Sequence, residues 1–178
     1  MTLANSTQKY GSIAKLLHWG IALLLLGMVI AGLTFTAMDN GPDKVALRNL
    51  HKSCGVLLLV LMTLRLLWKL MNPRPAHPAG VPAWQNAAAD LVHWLLYAAV
   101  YFQLTVGLLV AGQRPIAVFG LFQFGPFLEE NEQQHELFEE LHEIGWVVIV
   151  VLVLLHTLAA LYHHFVLKND VLRRITTG

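Results

Sequence analysis

The chain has 178 residues, of which 56% are hydrophobic and only 13% charged, with a formal net charge of +1. A soluble domain of this size carries about 25% charged residues, so this composition, with a mean hydropathy of +0.57, points to the bilayer. The near-neutral charge makes no case for nucleic acid, and a single cysteine, Cys54, excludes both an intrachain disulfide and a C-x-x-C-H haem-attachment motif.

A spanning helix needs roughly 20 mainly apolar residues, and four stretches meet that standard: about 13–38, 51–71, 87–112 and 144–167. They predict an all-α integral membrane protein, a single domain over 1–178 folded as a bundle of four transmembrane helices. In the first span, residues 16–38 are free of formal charge. A signal peptide has an apolar core of only about 7–15 residues, so this span is expected to be retained. The second ends with Arg65 and Lys69, whose long side chains can snorkel to the headgroups. The proline-rich connection 72–82, "NPRPAHPAGVP", is expected to be an extended cytoplasmic loop, with His77 as a loop residue.

Residues 113–143 then form a long outer connection. Their second half, "EENEQQHELFEELHE", is expected to be a polar helix continuous with span four, with an apolar stripe of Leu137, Phe138 and Leu141. If both termini are cytoplasmic, Lys9, Lys15, Arg65, Lys69, Arg74, Lys168, Arg173 and Arg174 lie inside, and only Lys44, Arg48, Lys52 and Arg114 outside. The excess of basic residues inside favours that orientation.

Histidines interrupt the apolar spans, and an ionisable residue inside a membrane is a functional-site hypothesis by default. His142 and His156 are fourteen residues apart, which at a helical rise of about 1.5 Å is ~21 Å along the axis, on nearly the same face. His18 falls a turn inside the cytoplasmic edge of span one, and His51 near the outer edge of span two. Depth therefore pairs His18 with His156 and His51 with His142. Each pair draws its rings from two helices, an arrangement that can clamp a metalloporphyrin by its two axial faces. The plain alternative is a set of hydrogen-bonded rings bridging helices. Gly55, Gly145, Ala159 and Ala160, close to these rings, either make room for a macrocycle or let helices approach.

Other chemistry fits less well. "HEIGW" lacks the second histidine of the zinc motif H-E-x-x-H. No phosphate loop and no nucleophile constellation is present, so no catalytic residue is assigned.

The runs "YGSIAKLLHWGIALLLLG", "LRNLHKSCGVLLLVLMTLRLLWK" and "LHTLAALYHHFVLKNDVLRRI" resemble the bacterial cytochrome b561 family, in order and over nearly the whole chain. The specific motifs are H-W early in span one, H-K-S-x-G opening span two and H-x6-H-H-F closing span four. The resemblance implies a four-helix bundle in the bacterial inner membrane holding two non-covalent b haems. The axial ligands carried over are His18 and His156 for the inner haem iron and His51 and His142 for the outer one. It also implies electron exchange with quinone near the cytoplasmic side, with ubiquinone as substrate or bound ligand. His93, in "DLVHWLLYAAVYFQ", is similar to a pocket residue of the family, and with His163 it is the candidate for holding the quinone head group. Lys168 or Arg173 would be charge partners there, and Arg65 is a candidate for a haem propionate or for simple snorkelling.

The implied function is electron transfer across the inner membrane between a periplasmic-side donor and the quinone pool. One family member is similar to a superoxide oxidase, which makes superoxide a candidate donor and superoxide:ubiquinone oxidoreductase the enzyme reading. Lys44, Arg48, Lys52 and Arg114 would then form a positive funnel amid the acidic residues of 129–143. Two alternatives stand beside this one. The first is a haem-bearing membrane anchor for a periplasmic redox protein, docked on the acidic outer helix. The second is a haem-free, histidine-lined proton or metal transporter.

Overall fold

A computed structural model describes residues 2–78 and 80–177. Four long helices dominate it: α1 (Ser12–Ala37), α2 (Pro42–Met71), α3 (Ala83–Ala111) and α4 (Glu132–Phe165). Each is long and apolar enough to cross a membrane. A short α5 (Val171–Ile175) follows.

The helix boundaries follow local chemistry. α2 begins at Pro42, where a missing N–H costs nothing, and Asp43 in its first turn complements the helix dipole. Its polar first turns lie outside any hydropathy window, so the helix starts nine residues before the apolar stretch that reveals it. α4 runs unbroken from Glu132, so the polar segment is continuous with the span, as the sequence predicts. Asn131 caps it by accepting the Gln134 N–H on Oδ1 at 3.0 Å.

Most large apolar side chains point outward. Leu16, Leu23, Leu26, Ile30 and Leu33 on α1 are all exposed, as are Val151, Leu154, Leu155 and Leu158 on α4. Water does not tolerate continuous apolar surface on this scale. Lipid does.

The chain divides into two compact units, and each takes a portion of all four helices. The first comprises Met1–Gly20, Thr63–Ala99 and Val148–Gly178. Here the connection between α2 and α3 is extended, as its prolines predict, and it is stitched down. The Ala76 N–H donates to Thr7 O at 2.9 Å, Asn5 Nδ2 to Pro73 O at 3.3 Å, and Arg174 Nη1 to Ala76 O. Trp19 Nε1 donates to Ile175 O at 3.0 Å, which ties α1 to α5. Lys69 lies 4.0 Å over the Trp94 ring and 4.7 Å over Tyr97, a cation–π contact between α2 and α3.

The second unit comprises Ile21–Met62 and Val100–Val147. It contains an element the sequence reading lacked, an antiparallel hairpin of β1 (Ile116–Val118) and β2 (Phe122–Phe124), with Val118 opposite Phe122. Ala111, Ile116 and Val118 are buried together, with Val56, Leu108 and Phe124 packed against them. Ser53 pins the hairpin to α2. Its hydroxyl accepts the Phe119 N–H at 3.0 Å, and its proton faces the carbonyls of Asn49 at 2.9 Å and Ala117 at 3.2 Å.

Ser53→Ala leaves the Phe119 N–H without its partner in a half-buried place, at a cost of about 1–3 kcal/mol. The expected outcome is a lower unfolding midpoint and earlier protease cleavage within 113–128, read by mass spectrometry of the fragments.

Candidate functional site

Each unit holds a pair of facing imidazoles from two helices. In the second unit, His51 on α2 and His142 on α4 have ring centroids 6.4 Å apart at an interplanar angle of 74°. Phe35 packs edge-on against His51 at 5.3 Å. Nδ1 of both histidines is buried without a hydrogen bond.

Clearance for the His142 ring depends on glycine, whereas His51 has room to spare. A Cβ on Gly107 would come within 2.9 Å of His142 Cε1, and one on Gly32 within 3.7 Å of His51 Cε1. Gly107 was not singled out from the sequence, because it lies on α3, far from either histidine in the chain. At Gly145 the room goes to a neighbouring helix. The space over it is filled by the Gln103 side chain, whose Nε2 donates to the His142 carbonyl at 3.0 Å. Gly55 faces Met28 Cε at 3.6 Å.

All four basic residues expected on the outer side lie in this unit, with Lys52 in electrostatic range of Arg48 and Arg114. Arg114 also pairs with Glu130 at 3.1 Å, and Arg48 sits 5.7 Å over Phe35. Lys44 instead donates to Met38 O at 2.9 Å.

In the first unit, His18 on α1 and His156 on α4 have centroids 6.2 Å apart at 65°. His93 on α3 stands 5.2 Å from His156. Arg65 on α2 lies within electrostatic range of both His18 and His156.

These separations can be tested against a metal. An atom bonded at ~2 Å to one nitrogen of each ring, with roughly 1 Å from nitrogen to ring centre, sets the centroids about 6 Å apart. His18–His156 and His51–His142 match that separation, and His93–His156 is too close for it. Among the described residues no group of three or more His, Cys, Asp or Glu is arranged to hold an ion. Two rings per site fit a metal whose other ligands come from a macrocycle.

Beside His156 the first unit has an open cavity of about 340 Å³. His93, His156 and His163 all line it, so the two candidate quinone residues do share one space. Asn169 Nδ2 lies 2.7 Å from His163 Nδ1. An amide nitrogen can only donate, so Nδ1 accepts and the neutral ring carries its proton on Nε2.

The expected charge partners differ. Lys168 and Arg173 do not line this cavity, whereas Arg174 and Arg74 do. Arg174 is held there by Asp170 at 2.8 Å and by Ala76 O. His77 is also more than a loop residue: it lines the cavity, with Nε2 3.5 Å from Asp90 Oδ2. The same carboxylate oxygen accepts Arg74 Nη1 at 3.0 Å, and this bond holds the Arg74 guanidinium above its ordinary range.

The family described as prokaryotic cytochrome b561 matches residues 9–178. Cytochrome b561 homolog 2 of Escherichia coli (strain K12) is 33% identical over 181 residues, covering 98% of this chain and 95% of its own length. Cytochrome b561 homolog 1 of the same organism is 30% identical over 162 residues, 89% of this chain and 92% of the relative. The probable superoxide oxidase CybB of Yersinia pestis is 29% identical over 174 residues, 94% and 96% respectively.

Gly107→Val drives a side chain into the His142 ring, and overpacking of this kind costs about 1–3 kcal/mol. Gly27→Val, at a glycine with nothing within 4 Å, is the control. Thermal unfolding in detergent should separate the two, with a lowered midpoint for the Gly107 variant alone.

Proposed function

This chain belongs to the prokaryotic cytochrome b561 family, and from that premise we propose that it moves electrons between a donor at the periplasmic face and the quinone pool. It is a multi-pass bacterial membrane protein of the b-type cytochromes, with haem b as its cofactor. The observation that carries the finer reading is the pair of imidazole separations, 6.2 Å and 6.4 Å, each between two helices. On this reading His18 and His156 hold one haem and His51 and His142 a second. Haem held by these histidines would supply one-electron exchange.

The chain's own residues supply the rest. Gly107 keeps the His142 ring clear of a neighbouring side chain. Arg65 offers a positive charge to a propionate beside His18 and His156. The cavity next to His156 is the proposed quinone site, its volume at the lower end of the roughly 300–1,000 Å³ of small-molecule pockets. His163, with its proton held on Nε2 by Asn169, donates to a quinone carbonyl, and His93 faces the same space. This cavity is assigned to the cytoplasmic side, where both termini also lie.

Superoxide is the proposed donor, by analogy with the Yersinia pestis relative's name and because Arg48, Lys52 and Arg114 form a cationic group near His51. A cluster of one sign raises the local concentration of an oppositely charged substrate. The reaction balances as two superoxide anions each losing one electron and leaving as dioxygen, while one quinone takes up two electrons and two protons to become the quinol.

Three outcomes test this. A pyridine haemochrome assay should find about two extractable haems per chain, as expected for two bis-histidine sites. His51→Ala and His142→Ala should lose the same haem, and His18→Ala and His156→Ala the other. His163→Ala should retain both while slowing quinone reduction, and equal haem loss there would mean a misplaced ligand. Reduction of the protein by superoxide should weaken with rising ionic strength, and charge reversal at Lys52 should slow it further. A rate no faster than the solution background would remove superoxide and leave a carrier or anchor with another donor.

A further inference from the structure

Residues 115–128 form an unbroken stretch without a formal charge, set between Arg114 and Glu129. Ile116 and Val118 face inward, but four large apolar side chains are turned outward: Leu121 is 81% exposed, Phe122 53%, Phe127 49% and Phe119 45%. The turn that presents them passes through two left-handed residues, Phe119 at φ 49 and Gly120 at φ 71. Asparagine or glycine makes such a turn more easily than a bulky aromatic. Water gives no reason for a phenylalanine at this position. Hydrocarbon does.

The packing places the hairpin at membrane depth. It lies against Val56 and Leu108. Val56 belongs to the charge-free run 53–64 of α2, and Leu108 to the apolar last turns of α3. Irregular backbone at this level must satisfy its own polar groups, because no water is there to do so. This hairpin satisfies several of its own. β1 and β2 pair with each other, the Leu121 N–H donates to Val118 O at 2.9 Å, and Gly112 O accepts the N–H groups of Phe127 and Leu128. At the tip, Ser53 takes the Phe119 N–H and faces the Ala117 carbonyl. It is the one buried polar residue among those described.

We propose that the β1–β2 hairpin is embedded in the bilayer, its tip 119–122 lying among phospholipid acyl chains just below the headgroups. The occupant of this surface is lipid, because the patch continues the lipid-facing surface of the spanning helices it packs on. The paired Arg114 and Glu130, 3.1 Å apart, mark where the chain returns to the polar layer. The hairpin thus caps the helix ends beside His51 from within the membrane.

The test uses the purified full-length holoprotein in phospholipid liposomes. With a diazirine group on the acyl chains, photolysis should give lipid adducts within 115–128 as well as on the spanning helices. Adducts on the helices but none on 115–128 would overturn the proposal. Independently, Leu121→Cys is made in a Cys54→Ser background, since Cys54 is the lone native cysteine. A small membrane-permeant maleimide should modify it about tenfold or more slowly than Gln133→Cys on exposed α4, since a thiol out of water forms little thiolate. Equal rates would place the tip in water as a docking surface for a soluble protein. Slow modification without lipid adducts would mean that protein, such as a second copy of the chain, covers it. Either result overturns the proposal.

Discussion

In lipid the usual force that gathers helices is missing, because acyl chains are as apolar as leucine. What holds this chain together is therefore a small number of directed contacts, such as those of Ser53, Trp19 and Gln103, and the frame they make brings the imidazoles face to face. In each unit a ring on α4 meets a ring from another helix, His142 with His51 and His156 with His18. The surrounding residues serve that meeting. Gly107 is small because His142 needs the space, and Gln103 reaches the His142 carbonyl from α3 while its side chain fills the gap over Gly145. Few large side chains are buried by comparison. Only Leu58, Ile116 and Ile149 are fully enclosed among the described residues.

The sequence discloses whatever is periodic. Four apolar runs give the spans, and the constant rise of a helix turns sequence separation into depth, which is enough to pair the histidines correctly as neighbours. It conceals what depends on side-to-side packing. Gly107 and Gln103 sit on α3, and nothing in their local sequence reports that α4 approaches them. Arg174 replaces Arg173 at the cavity because α5 turns that neighbouring residue inward, and a one-residue change on a helix rotates the side chain by about 100°. His77 looked inert because it lies in a proline-rich connection. That connection is fixed by Thr7 and Arg174, which bring it back over α3. The hairpin was hidden for another reason. Two three-residue strands are too short for a periodic signal, and their pairing is set by a turn through Phe119, a residue that does not announce turns.

The two imidazole pairs are alike in separation and unlike in surroundings. His51 and His142 are closed in by Phe35 and Gln103, with arginines and a lysine close by. His156 instead has a third imidazole at its side, His93, and opens onto a cavity lined by His163, Arg74 and Arg174. Axial ligands of the same kind do not fix what an iron does, since hydrogen bonds, nearby charge and access to the site also tune it. On the proposed reading the same ligand set would therefore serve two tasks in one chain: a site with cations close by, suited to a small anion, and an open one with room for a bulky neutral ring. That asymmetry is built from α3. It supplies Gly107 and Gln103 to one pair and His93 to the other, and these three residues, rather than the four facing histidines, make the two sites different.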